Sequence, residues 1–216
     1  MTRALKHDIP GPDWRVGFEE AEEKGWPAVF GREPGALRLC VDLGFGRGEF
    51  LWHLAESDPA GSYLGVEYSF KRVLKMARRL ARSEVRNVRL LEARAERVVA
   101  ELLPPASVRA FSVNFPDPWP KKRHRKRRLV TPAFVRRLAE RLEPGGGLEL
   151  ATDHAGYAEE MEAALVGEPL LANAFAPEPF RTEVPGRPPT AYEREWRAEG
   201  RTCRFFRYRR LDGSGR

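Results

Sequence analysis

Between residues 38 and 165, an apolar run of strand length and an amphipathic helical stretch follow each other five times. That alternation leaves few folds open. The strand-like runs are 38–43, 62–67, 87–91, 107–115 and 148–152; the helical stretches are 49–55, 70–82, 95–103, 132–142 and 155–165. Short continuous apolar runs suit strands buried on both faces, and the helices between them supply the crossovers that parallel strands need. An α/β chain follows, with a mostly parallel sheet and helices on both faces. Val73, Leu74, Ala77 and Leu80 share one helical face while basic residues take the other. Pro104 and Pro105 stop the third helix. Thr131 caps the fourth, with Pro132 in its first position, and the breaker 143–147 (EPGGG) ends it. The tail differs: 175–187 is punctuated by proline, and 202–211 alternates as a final strand, expected at an antiparallel edge. Residues 1–35 read as an extension with one short helix near 18–24, and 36–216 as a single domain.

A chain of 216 residues buries a sizeable core without disulfides or structural metal. Cys40 and Cys203 stand apart, with no C-x-x-C and no Cys/His cluster of zinc spacing. No metal is expected, and a reduced, cytoplasmic setting is. No run approaches the roughly 20 apolar residues that span a bilayer, and residues 1–12 carry charge and proline where a signal peptide needs apolar residues. No membrane association is expected. The formal charge of +7 favours a polyanionic partner, because neutralising phosphates releases counterions. Abundant arginine and absent glutamine also fit a thermophile or a GC-rich genome. A monomer or homodimer with no obligate protein partner is expected.

The loop Asp42-Leu43-Gly44-Phe45-Gly46-Arg47-Gly48 follows the first strand and opens a helix. In open α/β sheets ligands lie outside the carboxyl ends of the strands, near the point where strand order reverses. The spacing is G-x-G-x-G rather than the dinucleotide G-x-G-x-x-G, and no P-loop Lys-Ser/Thr follows. Asp42 stands just before the glycines, where a carboxylate serves an ammonium better than a pyrophosphate. Glu67 closes the second strand, where a carboxylate accepts hydrogen bonds from both ribose hydroxyls. Either feature alone also describes a tight turn or a solvated strand end. Together they point to S-adenosylmethionine and leave NAD as the lesser reading.

The fourth strand ends in Asn114-Phe115-Pro116-Asp117-Pro118-Trp119-Pro120. The prolines stiffen the turn and project Asp117 at the carboxyl edge of the sheet. An acid beside an aromatic suits a nucleobase, since the carboxylate accepts base N–H groups and Trp119 offers a stacking face. A proline turn around a buried tryptophan is the plain structural alternative. The run Lys121-Lys122-Arg123-His124-Arg125-Lys126-Arg127-Arg128 follows at once, placed to bind phosphates next to the target base. Asp153 and His154 follow the fifth strand, where Asp153 also reads as a helix N-cap. Thr190, Ala191, Tyr192 and Glu193 sit in an expected loop before the last strand, with nothing in their spacing to mark them as functional.

The stretches WPAVFGRE, VDLGFGRGEF, YLGVEYS, NFPDPWPKKRHRKRR, LEPGGGLELATD and RPPTAYE resemble those of bacterial tRNA (guanine-N7-)-methyltransferases, from Trp26 to the C-terminus. The resemblance implies a class I, Rossmann-like methyltransferase fold with a seven-stranded sheet, S-adenosylmethionine as donor, and the variable-loop guanosine of tRNA as acceptor. Carried over by position, Asp42, Gly44, Gly46 and Glu67 would contact the cofactor, with Asn114 bordering it. Asp117 would be the active-site acid. Lys121, Asp153, Thr190, Ala191, Tyr192 and Glu193 would contact the substrate. One departure stands out: Arg94 occupies the place after the third strand where the family usually has an acid facing adenine. Glu92, Glu96 or a backbone N–H are the candidates to replace it. Methylation of an exocyclic base amine and an inactive RNA-binding module are the rival functions. The order Pro-Asp-Pro-Trp argues against the first, and the intact acids argue against the second.

Overall fold

The computed structural model describes residues 7–212, which fall into two compact units divided after Leu102. The first unit holds α1 (Phe18–Phe30), β1 (Leu39–Leu43), α2 (Glu49–Ser57), β2 (Ser62–Glu67), α3 (Phe70–Leu80), β3 (Val88–Glu92) and α4 (Ala95–Glu101). β2 pairs in parallel with both β1 and β3. All six residues of β2 are buried. Since successive side chains of a strand point to opposite faces, both faces here are covered, which is why the run carries no polar alternation. Phe45, Leu51, Tyr63, Val73, Met76, Leu80 and Leu90 form one core cluster of this unit.

α1 reaches further than the expected 18–24. Its backbone leaves helical geometry at Gly25 and resumes through Pro27 to a left-handed Gly31 cap, so the expected end is a kink. Beyond the kink, Trp26 is buried and its indole N–H donates to the Leu102 carbonyl at 2.8 Å. Upstream, Leu90 and the 14–16 segment exchange two backbone hydrogen bonds, giving a parallel bridge from Arg15 to Leu90. The outer edge of β3 is thereby partly paired.

The second unit holds β4 (Val108–Asn114), α5 (Pro132–Arg141), β5 (Leu142–Thr152), α6 (Ala155–Val166), β6 (Leu171–Asn173), α7 (Ala191–Ala198) and β7 (Arg204–Arg210). β4 and β5 are parallel; β7 is antiparallel to both β5 and β6. The strand order is β3-β2-β1 within the first unit and β4-β5-β7-β6 within the second. Thr131 caps α5 as expected, its hydroxyl accepting from Phe134 N.

Three expectations change. The breaker 143–147 is part of β5: Leu142 pairs with Val108, the register then shifts, and Gly147 pairs with Ala110. Gly145 takes φ +74° and a Cβ on Gly146 would meet the Glu143 carbonyl at 2.8 Å, so the glycines form a bulge inside the strand. The final strand is not the edge, because the three-residue β6 lies outside it. Three residues are too few for alternation to reveal. The expected loop at 190–193 is the start of α7, and Thr-x-x-Glu there is a helix-start pattern that the sequence did display.

Candidate active site

In the first unit the site is built at two adjacent strand ends. Asp42 is 3 % exposed and stands in register with Gly65; Glu67 is 2 % exposed and closes β2. The chain after β1 turns through Gly44 at φ +78°, a left-handed conformation that glycine adopts without strain. The turn is fastened to β2, with Gly44 N and Phe45 N donating to the Val66 carbonyl at 2.8 and 3.3 Å. Glu67 fastens it again: Oε2 accepts from Gly46 N at 3.1 Å and Oε1 from Ser69 N at 3.0 Å. Arg72 approaches the same carboxylate at 3.4 Å. A carboxylate held by backbone donors on both oxygens is fixed in place and keeps lone pairs for further donors. α2 begins directly after the turn and packs closely on α3: a Cβ on Gly48 would lie 2.6 Å from Met76 Sδ. A Cβ on Gly44 would meet nothing within 4 Å, so that part of the turn borders open space. Two buried carboxylates and an open glycine turn fit a ligand that carries an ammonium and a ribose. Past β3, Glu92 stands in register beside Glu67, Arg94 precedes α4 and Glu96 lies in its first turn.

In the second unit β4 ends at Asn114, and the turn that follows is strained at both flanks of Asp117. Phe115 takes φ +52° and Trp119 φ +41°, conformations rare for bulky residues. Asp117 itself is exposed. What holds the turn is Arg128, the last residue of the basic run and 4 % exposed. Its Nε donates to the Pro118 carbonyl at 2.7 Å, its NH1 pairs with Glu160 at 2.7 Å, and it lies 4.6 Å over the Tyr157 ring. The run therefore divides in function. Residues 122–127 form an exposed 3-10 turn with His124 half-buried, while Arg128 is an internal anchor. Trp119 is half-buried, with His124 edge-on at 5.7 Å and Arg127 over its ring at 5.0 Å. Lys121 is exposed where the run begins.

Asp153 does not cap α6. That role belongs to His154, whose Nδ1 accepts from Tyr157 N at 3.1 Å. Asp153 pairs with Arg201 at 2.9 Å. Thr190 caps α7 by accepting from Glu193 N at 2.9 Å. Glu193 is 6 % exposed, and its two oxygens accept from Arg187 at 2.7 Å and Arg197 at 3.1 Å. Ala191 is buried; Tyr192 is half-buried and stacks on Trp196 at 6.4 Å. Sequence reasoning placed Arg128 among the phosphate-binding residues, which its burial corrects, and missed Arg187. Both look like surface charge in a chain with 38 lysines and arginines, and no local pattern marks a buried arginine.

Residues 37–205 match the family model described as "Putative methyltransferase". A tRNA (guanine-N7-)-methyltransferase of Geobacter metallireducens is 37% identical over 94% of this chain and 95% of its own. The enzyme of that name from Halorhodospira halophila is 41% identical over 100% of this chain and 93% of its own. The chain belongs to the tRNA (guanine-N7-)-methyltransferase family. Among solved structures, the 16S rRNA methyltransferase KamB superposes with a TM-score of 0.62 over 87% of this chain and 94% of its own, at 16% identity. The aminoglycoside resistance methyltransferase NpmB1 gives 0.57 over 89% and 93%, at 18% identity. These two share the fold, an α/β sheet of the class I methyltransferase kind. Within the family frame, the Asp42–Glu67 pair lies on the strands where the sequence pattern put it. No helix among the described residues is long and apolar enough to cross a membrane.

Proposed function

We propose that this chain transfers the methyl group of S-adenosylmethionine to N7 of a guanosine in tRNA, the variable-loop guanosine being the expected acceptor. The observation that carries the reading is family identity of 37–41% along nearly the whole chain. S-adenosylmethionine supplies, when bound, an electrophilic methyl group on a sulfonium. Asp42 holds the ammonium of its methionine part and Glu67 its ribose hydroxyls, on the glycine turn that Gly44 and Gly46 shape. Guanine N7 carries a lone pair and no proton, so no residue has to act as a base toward it. The work of the protein is then alignment and charge. Asp117 accepts from guanine N1–H and the exocyclic amine, and its charge offsets the cation formed on the ring. Lys121 and the exposed turn 122–127 take phosphates. Asp153, Tyr192 and the backbone of Thr190, Ala191 and Glu193 complete the substrate side. Residues 36–216 constitute the methyltransferase domain and 1–35 its extension. A monomer or homodimer in the cytoplasm, with no obligate protein partner, belongs to the same reading.

The test is methyl transfer from labelled S-adenosylmethionine to unmodified tRNA transcripts, with nucleoside mass analysis and borohydride–aniline scission. Scission at the variable-loop guanosine is expected. Label in an exocyclic amine would overturn the N7 chemistry, and cofactor binding without any transfer would overturn the acceptor.

A further inference from the structure

Arg187 lies in the proline-punctuated segment before α7, yet its side chain is only 5% exposed. The guanidinium rests 4.6 Å over the Phe205 ring and pairs with Glu193. Its NH2 also donates to Oδ1 of Asn114. An arginine carries donors and no acceptor, so it can meet an amide only through the amide oxygen. That contact fixes which way the Asn114 side chain points, and its NH2 must face elsewhere. Asn114 Nδ2 is buried and, among the described residues, has no hydrogen-bond partner. Leaving such a donor unpaired is destabilising, so a site that keeps one invites a reason. The position supplies one. Asn114 is the last residue of β4, and the turn bearing Asp117 follows directly.

We propose that Arg187 is a positioning residue, locking the Asn114 amide so that Nδ2 donates to an oxygen of a bound reactant: O6 of the target guanine. The inference rests on the methyltransferase reading and adds a determinant of base choice to it. O6 lies beside N7 on the same edge of guanine and accepts, whereas adenine presents an amine donor at that place. A fixed amide donor beside N7 therefore favours guanine and opposes adenine. The carboxylate of the methyl donor is the other oxygen of like chemistry, and the measurements separate the two.

The central variant is Asn114→Asp, which keeps an oxygen for Arg187 and turns the NH2 donor into a charged acceptor oxygen. Arg187→Met combined with Glu193→Gln removes the lock without leaving a buried, half-paired carboxylate. Each protein is assayed for melting temperature, S-adenosylmethionine Kd by calorimetry, and kcat and KM on tRNA transcripts. Asn114→Asp is expected to lower kcat/KM for tRNA about ten- to a hundredfold, with melting temperature and cofactor Kd near wild type. Removing the lock in the Asn114→Asp background is expected to add little, because both changes act through one amide. A raised cofactor Kd with tRNA parameters intact at saturation would keep the lock and move the acceptor to the donor's carboxylate. Unchanged kinetics and Kd in Asn114→Asp, or fully additive losses, would overturn the proposal. Wild-type protein that methylates no tRNA at all would instead fail the underlying reading, and the O6 role with it.

Discussion

The two units hold their carboxylates by different means. In the first, Glu67 is fixed by backbone N–H groups, of Gly46 in the turn after β1 and of Ser69 just after β2. In the second, fixed groups are held by arginine side chains: Asn114 and Asp153 by Arg187 and Arg201 across 73 and 48 residues, Glu193 and the Asp117 turn by Arg187 and Arg128 across 6 and 10. Backbone donors arrive with the fold and need no particular side chain. Guanidinium donors must be delivered by tertiary structure, and each delivery is a place where one substitution can act. The first unit is thus built to hold a constant ligand on a rigid frame, and the second to shape a surface whose details side chains decide.

The largest effect that would sharpen this contrast is at Asp117. Asp117→Ala is expected to cut turnover about a thousandfold while leaving tRNA affinity nearly intact in filter binding. Turnover near wild type would remove the acid from the mechanism. Next, Glu67→Ala is expected to raise the Kd for S-adenosylmethionine about ten- to a hundredfold, with tRNA affinity unaffected. Equal losses for both ligands would break the division of labour. Arg128→Met is expected to cost about 1–3 kcal/mol in urea denaturation and to lower kcat through the loosened turn. A variant as active as wild type would show that Asp117 needs no such anchor. The smallest effect is at Lys121. Lys121→Ala is expected to flatten the salt dependence of tRNA binding by about one unit of log Kd per log salt; an unaltered slope would take that residue off the phosphates.

Legibility in the sequence follows the same line. β1 to β4 and the helices α2 to α6 announce themselves because their patterns are local: apolar runs, one-sided helices, Thr131 before Pro132. Asp42 and Glu67 were readable because a strand end is a place that local pattern defines. The Asn114–Arg187 contact spans 73 residues and the Asp153–Arg201 pair 48, and no local period encodes either. The glycines at 145–147 misled because the same residues serve a turn and a bulge; only the pairing of Leu142 with Val108 tells them apart.

The place of β7 carries a consequence for the birth of this protein. β7 is made after β5 and β6 yet lies between them in the sheet, and among the described residues β6 pairs with no strand but β7. A chain emerging from the ribosome therefore presents an open edge on β5, and a β6 with nothing to join, until β7 appears. Exposed strand edges recruit other strands. The nascent second unit passes through an adhesive interval that lasts until Arg204–Arg210 has been made. A stop codon or a stalled ribosome shortly before Arg204 would thus leave β5 open and β6 unpaired, and quality control would meet this enzyme at that edge.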